Sequence, residues 1–303
     1  MKLHVLIDNL PNPDNPALQH EHGLSFLLQT PQGKNYLIDT GASGKFLHNL
    51  ELLRENNPSM PTAAEIDAVI ISHGHNDHTG GLRTFFEHNS TAPVYLHNTI
   101  RGNLFYSCRP KHGIREARNI GMEQALFAEY SHRFIEIDSP TGITGQITLI
   151  PGSAAAGYPT PMGNGFLYCN DFPDNFSHEI AILIEYAPGT FAVISPCSHN
   201  GILNILDVTL SFCTTITSSL CTTGSESIGF FIGGLHYVDY LNPHDAKKEA
   251  ARIVQAAEYI KEHYPNLKVF SGHCTGNAAG QVLQNSLHGN YTHFSTGTVI
   301  ELK

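Results

Sequence analysis

A dense run of metal-ligand residue types lies at residues 72–81, Ser-His-Gly-His-Asn-Asp-His-Thr-Gly-Gly. His73 and His75 are two positions apart, so in an extended segment their side chains share one side and can hold a single ion. Asp77 and His78 follow where the chain turns toward a helix, and they can hold a second ion beside the first. Imidazole and carboxylate ligands suit borderline divalent ions. The run therefore predicts two divalent metal ions, with zinc as the first candidate and manganese or iron as the others.

The elements around this run must position its side chains. Residues 67–72 hold a short apolar run, Ala-Val-Ile-Ile, that is typical of a buried strand, and residues 79–87 have the pattern of a helix. Gly74, Gly80 and Gly81 permit a tight path and a close approach of other backbone. The alternative is a polar surface loop that happens to hold three histidines. The buried strand directly before the run favours the metal site.

Strand and helix patterns mix along the whole chain without strict βαβ alternation. Residues 116–130 have a helical pattern, and a second helix is predicted to begin at Asn242-Pro243, a cap followed by proline. We expect an α+β protein with two facing mixed sheets and helices outside both. No internal boundary is persuasive, so we expect one domain over residues 1–303.

The run matches the signature HxHxDH, and by this motif the chain resembles the metallo-β-lactamase superfamily. The resemblance implies an αββα sandwich with metals at the sheet edges. It assigns His199 as the third histidine of the first metal site and His273 as the last histidine of the second. It also assigns Asp39, which follows an apolar strand, as a carboxylate that supports the metal loop without binding the metal itself.

Four further stretches narrow the resemblance to one subgroup of the superfamily. They are residues 22–25, 197–202, 233–236 and 273–276. The subgroup comprises proteins similar to the archaeal 7,8-dihydropterin-6-yl-methyl-4-(β-D-ribofuranosyl)aminobenzene 5'-phosphate synthase. This similarity implies a small substrate of pterin- or ribose-phosphate-like type without naming one.

One departure from the superfamily pattern concerns the aspartate that bridges both metals in many relatives. Residues 230–236 contain no aspartate, and the nearest is Asp239. A hydroxide alone is then expected to bridge the ions, with Asp77 orienting it. His236 is a candidate catalytic residue that contacts the substrate or supports a ligand. The alternatives are that His236 is a direct ligand or a structural histidine.

Weaker candidates concern the substrate. His22 and His97 are predicted to enter the cleft, although a lone histidine beside a strand is more often structural. Five of the chain's 17 lysines and arginines lie in residues 101–118, and within this basic segment Arg109 and Arg115 are the candidate anion-binding residues. A solvated basic loop is the alternative. Cys197 and Cys274 flank proposed ligands and are expected to be small packing residues rather than nucleophiles.

The composition limits the partners. With 17 basic and 27 acidic residues, the formal charge is −10, which argues against nucleic acid. The six cysteines form no CxxC pair, and no apolar run reaches the length of a membrane span. We expect a cytoplasmic protein with a small anionic substrate, and the oligomeric state stays open.

Together these features predict a metal-dependent hydrolase that acts on a small phosphoester. A carbonyl hydrolase, such as a lactonase or thioesterase, is the first alternative on the same metal site. A non-catalytic metal- or ligand-binding module is the second, and the complete ligand set argues against it.

Overall fold

The computed structural model describes residues 1–110, 116–152, 157–216 and 224–303. By internal contacts the chain divides into two compact units, each with its own hydrophobic core. The expected single domain over residues 1–303 stays a prediction. Unit 1 consists of Met1–Asp138, Phe166–His178 and Phe294–Leu302, and unit 2 of Ser139–Gly165, Glu179–His293 and Lys303.

The described part of unit 1 contains two β-sheets. Its strands are β1 (Lys2–Ile7), β2 (Ser25–Gln29), β3 (Asn35–Ile38), β4 (Ala68–Ile70), β5 (Val94–His97), β6 (Phe105–Ser107), β7 (Arg118–Asn119), β8 (Phe134–Ile137), β11 (Leu167–Cys169), β12 (Phe172–Pro173) and β18 (Val299–Glu301). The larger sheet has the order β18-β1-β2-β3-β4-β5-β8, antiparallel up to β3 and parallel from β3 onward. The smaller, antiparallel sheet has the order β12-β11-β6-β7.

The parallel strands β3, β4 and β5 bring three chemically important segments to one edge of the larger sheet. The carboxyl ends of parallel neighbours lie at the same edge. Asp39 follows β3, the motif at residues 72–81 follows β4, and His97 is the last residue of β5.

Four helices accompany these sheets in the described part of unit 1: α1 (Lys45–Asn56), α2 (Asn76–Thr79), α3 (Leu82–His88) and α4 (Leu126–Glu129). Helix α1 buries Phe46, Leu47 and Leu50 in the core of unit 1. The helix predicted at residues 79–87 is present as α3, and a separate short helix, α2, precedes it within the motif.

The helix predicted over residues 116–130 was wrong. Only β7 and the short α4 form there. The amide of Asn76 donates to the carbonyl of Ile120 (2.6 Å), and the amide of Met122 donates to the carbonyl of Gly74 (2.9 Å). Backbone pairing with the metal-binding motif thus holds this segment extended, a contact that local helical periodicity does not reveal.

Unit 2 contains a seven-stranded sheet within its described residues. Its strands are β9 (Thr141–Thr144), β10 (Ile147–Pro151), β13 (Ile180–Ala187), β14 (Thr190–Ile194), β15 (Ile228–Ile232), β16 (Lys268–Ser271) and β17 (Tyr291–His293). The order is β17-β16-β15-β14-β13-β10-β9, parallel from β17 to β14 and antiparallel beyond.

Among its described residues, unit 2 has the helices α5 (Ile202–Ile216), α6 (Pro243–His263) and α7 (Asn277–Leu287). Helix α6 begins as predicted, because the Asn242 side chain accepts from the amides of His244 and Asp245 and Pro243 is the first helical residue. It buries Ile253 and Ile260 in the core of unit 2. Each unit thus has a mixed seven-stranded sheet and a hydrophobic core to which its helices contribute. This arrangement confirms the α+β class.

Among the described residues, no helix has the length and apolar character that crossing a membrane requires.

Candidate metal centre

Asp39 is the centre of the polar network in unit 1. Its Oδ1 accepts from the amide of Ser72 (2.8 Å), and its Oδ2 accepts from Ser72 Oγ (2.7 Å) and lies 2.6 Å from His78 Nδ1. Since a carboxylate only accepts, His78 carries its proton on Nδ1 and presents Nε2 as a ligand atom. Asp39 thus binds both a backbone amide and a histidine of the motif at residues 72–81. The effect of Asp39 on metal binding stays a prediction.

The same carboxylate also sets the tautomer of His73. Because Ser72 Oγ donates its proton to Asp39, its oxygen accepts from His73 Nδ1, 2.9 Å away. His73 Nε2 is then unprotonated and available to an ion. His73 Nε2 lies 3.0 Å from His75 Nδ1, and the rings of His73 and His78 have centroids 4.3 Å apart. The motif thus gathers its three buried histidines at one point of unit 1.

His75 is neutral in this environment. Desolvation by burial is the main cause that lowers its pKa to about 3, against a smaller opposing effect of the Asp77 charge. A neutral imidazole is the form that binds a metal ion.

Sequence reasoning missed a second support of the motif, the pair His178 and Asp174. His178 Nδ1 accepts from the amide of Gly74 (3.1 Å), and its Nε2 donates to Asp174 Oδ2 (3.0 Å). Burial raises the pKa of Asp174, but opposing effects, of which the hydrogen bond from His178 is the largest, together hold this pKa below its usual value. No local pattern in the sequence points to this contact, which joins residues 104 positions apart.

The other candidates of unit 1 differ in their surroundings. His22 is two-thirds exposed, and its Nε2 lies 3.4 Å from Oδ2 of Asp77. His97 caps a short turn by accepting from the amide of Thr99. A substrate contact of either histidine stays a prediction.

Of the basic segment, Arg101 forms an ion pair with Glu136 and lies over the ring of Phe127. The carbonyl of Arg109 accepts from the Arg118 guanidinium (2.9 Å). Arg115 lies outside the described residues, so the predicted anion-binding pair of Arg109 and Arg115 stays a prediction.

In unit 2, Glu179 organises the loop that carries His199. Its Oε1 accepts from the amide of His199 (2.7 Å), and its Oε2 accepts from the amide and the side chain of Asn200 (both 2.8 Å). Glu179 is itself buried, with 1% of its surface exposed. His199 Nδ1 lies 3.0 Å from Asn164 Oδ1, which accepts its proton and leaves Nε2 as the candidate ligand atom.

His236 and His273 lie in the same unit as His199. The rings of His199 and His236 are 4.1 Å apart. Nε2 of His236 is buried and has no hydrogen-bond partner among the described residues, whereas its amide donates to Cys274 Sγ (3.2 Å). A Cβ on Gly234 would come within 3.3 Å of the His273 ring, so glycine permits this close approach.

Strained backbone occurs at or next to candidate site residues in each unit. Asp39, Ser198, His236 and His273 have φ between 46° and 55°, a left-handed conformation that is rare outside glycine. They are four of the seven such residues in the described chain. Strain of this kind persists where function or surrounding contacts fix it.

Comparison with known proteins supports the resemblance to the metallo-β-lactamase superfamily that the motif indicates. The family model of the metallo-β-lactamase superfamily matches residues 20–103. A 7,8-dihydropterin-6-methyl-4-(β-D-ribofuranosyl)-aminobenzene-5'-phosphate synthase of Methanocaldococcus jannaschii is 26% identical over 322 residues, covering 99% of this chain and 96% of that protein.

Among solved structures, a metal-dependent hydrolase of the β-lactamase superfamily is similar with a TM-score of 0.72 and 25% identity, covering 100% of this chain and 99% of that one. A diphosphatase from the PhnP family has a TM-score of 0.50 at 14% identity, covering 100% and 98%, and shows the fold alone. These findings confirm the predicted fold class and the resemblance to the superfamily.

Proposed function

We propose that the chain, which resembles the metallo-β-lactamase superfamily in motif and fold, is a dinuclear metal-dependent hydrolase of a small phosphoester. The observation that carries the proposal is the buried network in which Asp39 orients His78 directly and His73 through Ser72. Burial of three histidines carries a desolvation cost, and a polar surface loop would leave these side chains in water.

The donor set fits divalent ions. We assign His73, His75 and His199 to the first ion and Asp77, His78 and His273 to the second, following the superfamily motif. Neutral buried imidazoles and one carboxylate suit zinc first, with manganese or iron as alternatives. Two such ions, when bound, lower the pKa of a water molecule and polarise the centre that it attacks.

The remaining roles fall to residues of the chain itself. Asp77 is partly exposed beside His22, a place from which its carboxylate can orient the attacking water and accept a proton. The buried Nε2 of His236 is available to a substrate oxygen, which supports its assignment as a substrate contact. The arginines of the basic segment, Arg109 and Arg115, would bind the phosphate of the substrate.

Metal analysis and a substrate panel test the proposal. We expect two divalent ions per chain and turnover of a phosphodiester such as bis(p-nitrophenyl) phosphate. His75→Ala should lower occupancy and abolish turnover, while His48→Ala, a change at an exposed histidine of α1, should alter neither. A folded, unchelated protein without metal would overturn the dinuclear site. Preferential hydrolysis of a lactone or thioester would establish the carbonyl-hydrolase alternative.

A second candidate function is suggested by the archaeal relative, which is named a synthase of a pterin-containing ribofuranosyl phosphate compound. The 26% identity extends over 99% of this chain, which favours a substrate that carries a phosphate. Metal-loaded protein that leaves every ester of the panel intact would favour this candidate over hydrolysis.

A further inference from the structure

We propose that Cys197 and Cys274 are a modification site that closes to a reversible disulfide and thereby controls metal binding by His199 and His273. The effect on metal rests on the proposed function, whereas disulfide formation does not. Neither residue is in a disulfide in the structure, and their Sγ atoms are 3.2 Å apart. The two residues are 77 positions apart in the chain.

The fold of unit 2 brings the two sulfurs together. Cys197 follows β14 and Cys274 follows β16, and both strands pair in parallel with β15 between them. Cys274 Sγ also lies 3.5 Å from the carbonyl oxygen of Cys197. A Cβ on Gly234 would stand 2.5 Å from Cys274 Sγ, so this glycine provides space for the pair. The two sulfurs are therefore close because the strands that precede them flank the same strand, β15.

Oxidation by a peroxide balances without a further reactant. Cys274 is the less buried residue of the pair, and its sulfur attacks one peroxide oxygen. A sulfur–oxygen bond forms, the oxygen–oxygen bond breaks, and one water leaves. The sulfur of Cys197 then attacks the sulfur of Cys274, and the second water leaves as the disulfide forms. Two thiols lose two protons and two electrons, and hydrogen peroxide is reduced to two waters. Thiol–disulfide exchange with a dithiol reverses the bond.

Closing the bond draws together two residues that stand next to proposed ligands in the chain. A disulfide requires sulfurs about 2.05 Å apart, so the 3.2 Å separation must shorten by about 1 Å. Cys274 directly follows His273, and Cys197 stands two residues before His199. His273 has left-handed backbone, with φ of 46°, which leaves it little freedom to compensate. Oxidation should therefore misplace both imidazoles and weaken metal binding.

A competing use of the same sulfurs is direct metal ligation. Ligand atoms of Cys197, His236 and Cys274 lie within 4.8 Å of one another, close enough for one ion. The two uses predict different behaviour of the reduced protein. If the sulfurs are ligands, replacing either one lowers the metal content without any oxidant. If they are a redox pair, the reduced variants keep their metal.

The test is peptide mapping of the metal-loaded protein before and after hydrogen peroxide, followed by dithiothreitol. After peroxide we expect a linked pair of peptides that contain Cys197 and Cys274, two hydrogens lighter than the two separate peptides. The protein should lose its bound metal at the same time. Dithiothreitol followed by fresh zinc should restore the metal content. Cys197→Ser and Cys274→Ser should retain metal after peroxide. Cys213→Ser is the matched control, because burial raises the pKa of that thiol to about 12 and keeps it inert; it should behave as the parent protein.

Two results would overturn the proposal: no linked peptide after peroxide, or a linked peptide with metal content unchanged. Metal loss in the reduced serine variants would identify the sulfurs as ligands instead. A linked peptide in a protein that never binds metal would instead reject the proposed function and leave the disulfide site standing.

Discussion

His78 Nδ1 lies 2.6 Å from Asp39 Oδ2, and neither side chain is accessible to solvent. Through Ser72 Oγ the same carboxylate reaches Nδ1 of His73. One aspartate therefore determines which nitrogen of two histidines is available to an ion. Outer carboxylates of this kind fix the tautomer and ring orientation of metal ligands and raise their basicity.

The first prediction is that Asp39→Asn lowers zinc affinity about 10–100-fold. Asparagine tolerates the left-handed backbone of this position, φ 55°, so the fold should be retained and the loss should report the missing charge. Competition with a chromophoric chelator measures the affinity. Asp67→Asn, which alters a surface carboxylate paired with Lys34 in the same unit, is the control and should leave affinity unchanged. An unaltered affinity in Asp39→Asn would reduce Asp39 to a turn former.

The motif was predictable because its residues are local. His73, His75, Asp77 and His78 stand within six positions, and their spacing alone indicates metal chemistry. Asp39 was accessible only through the superfamily resemblance. The supports Glu179 and His178 were not predictable, because each acts on a partner brought close by the fold, in one case 104 positions away. The failed helix at residues 116–130 has the same physical cause: pairing with the motif outweighs a weak local preference.

Glu179 gives a second prediction, on stability. It accepts three hydrogen bonds with two oxygens, and a glutamine can offer only one oxygen to these donors. The amide group of Glu179→Gln would face a backbone N–H, so we expect the free energy of unfolding to fall by about 2–3 kcal/mol. Urea denaturation measures it. Glu258→Gln, an exposed change on α6, should be neutral. Equal stability of both variants would contradict the network.

The third prediction concerns pH and the buried Glu249. Its Oε1 accepts from the amide of Met162, its Oε2 has no hydrogen-bond partner among the described residues, and the Arg252 guanidinium is 3.9 Å away. Burial raises the pKa of Glu249, against smaller lowering effects of the Met162 amide, Arg252 and His236. The folded state thus favours the protonated carboxyl. Its contribution to stability is complete below the ordinary pKa of 4.5 and is lost as pH rises through the raised value.

Glu249→Gln mimics the protonated form and keeps an acceptor for Met162. The melting temperature of this variant relative to the parent should therefore rise between pH 4 and pH 8, with the fold unchanged. Thermal denaturation across this range provides the measurement. For Glu258→Gln on the same helix, the difference from the parent should stay flat, since its side chain is exposed. If the difference in melting temperature between Glu249→Gln and the parent also stays constant with pH, the carboxyl of Glu249 is solvated or paired in solution.

The last prediction separates phosphoester from carbonyl chemistry through the basic segment. If Arg109 binds the phosphate, Arg109→Ala should raise KM for a phosphorylated substrate about 10-fold, the equivalent of roughly 1.4 kcal/mol, and leave the metal content unchanged. Arg101→Ala is the matched control from the same segment, because Arg101 is already engaged by Glu136 and Phe127 and should not affect KM. Steady-state kinetics on a phosphomonoester and on an uncharged lactone provide the readout. A rise in KM confined to the phosphomonoester identifies an anion-binding arginine. Normal phosphoester kinetics in Arg109→Ala, together with a lactone as the better substrate, would instead favour the carbonyl hydrolase and leave this segment as a solvated basic loop.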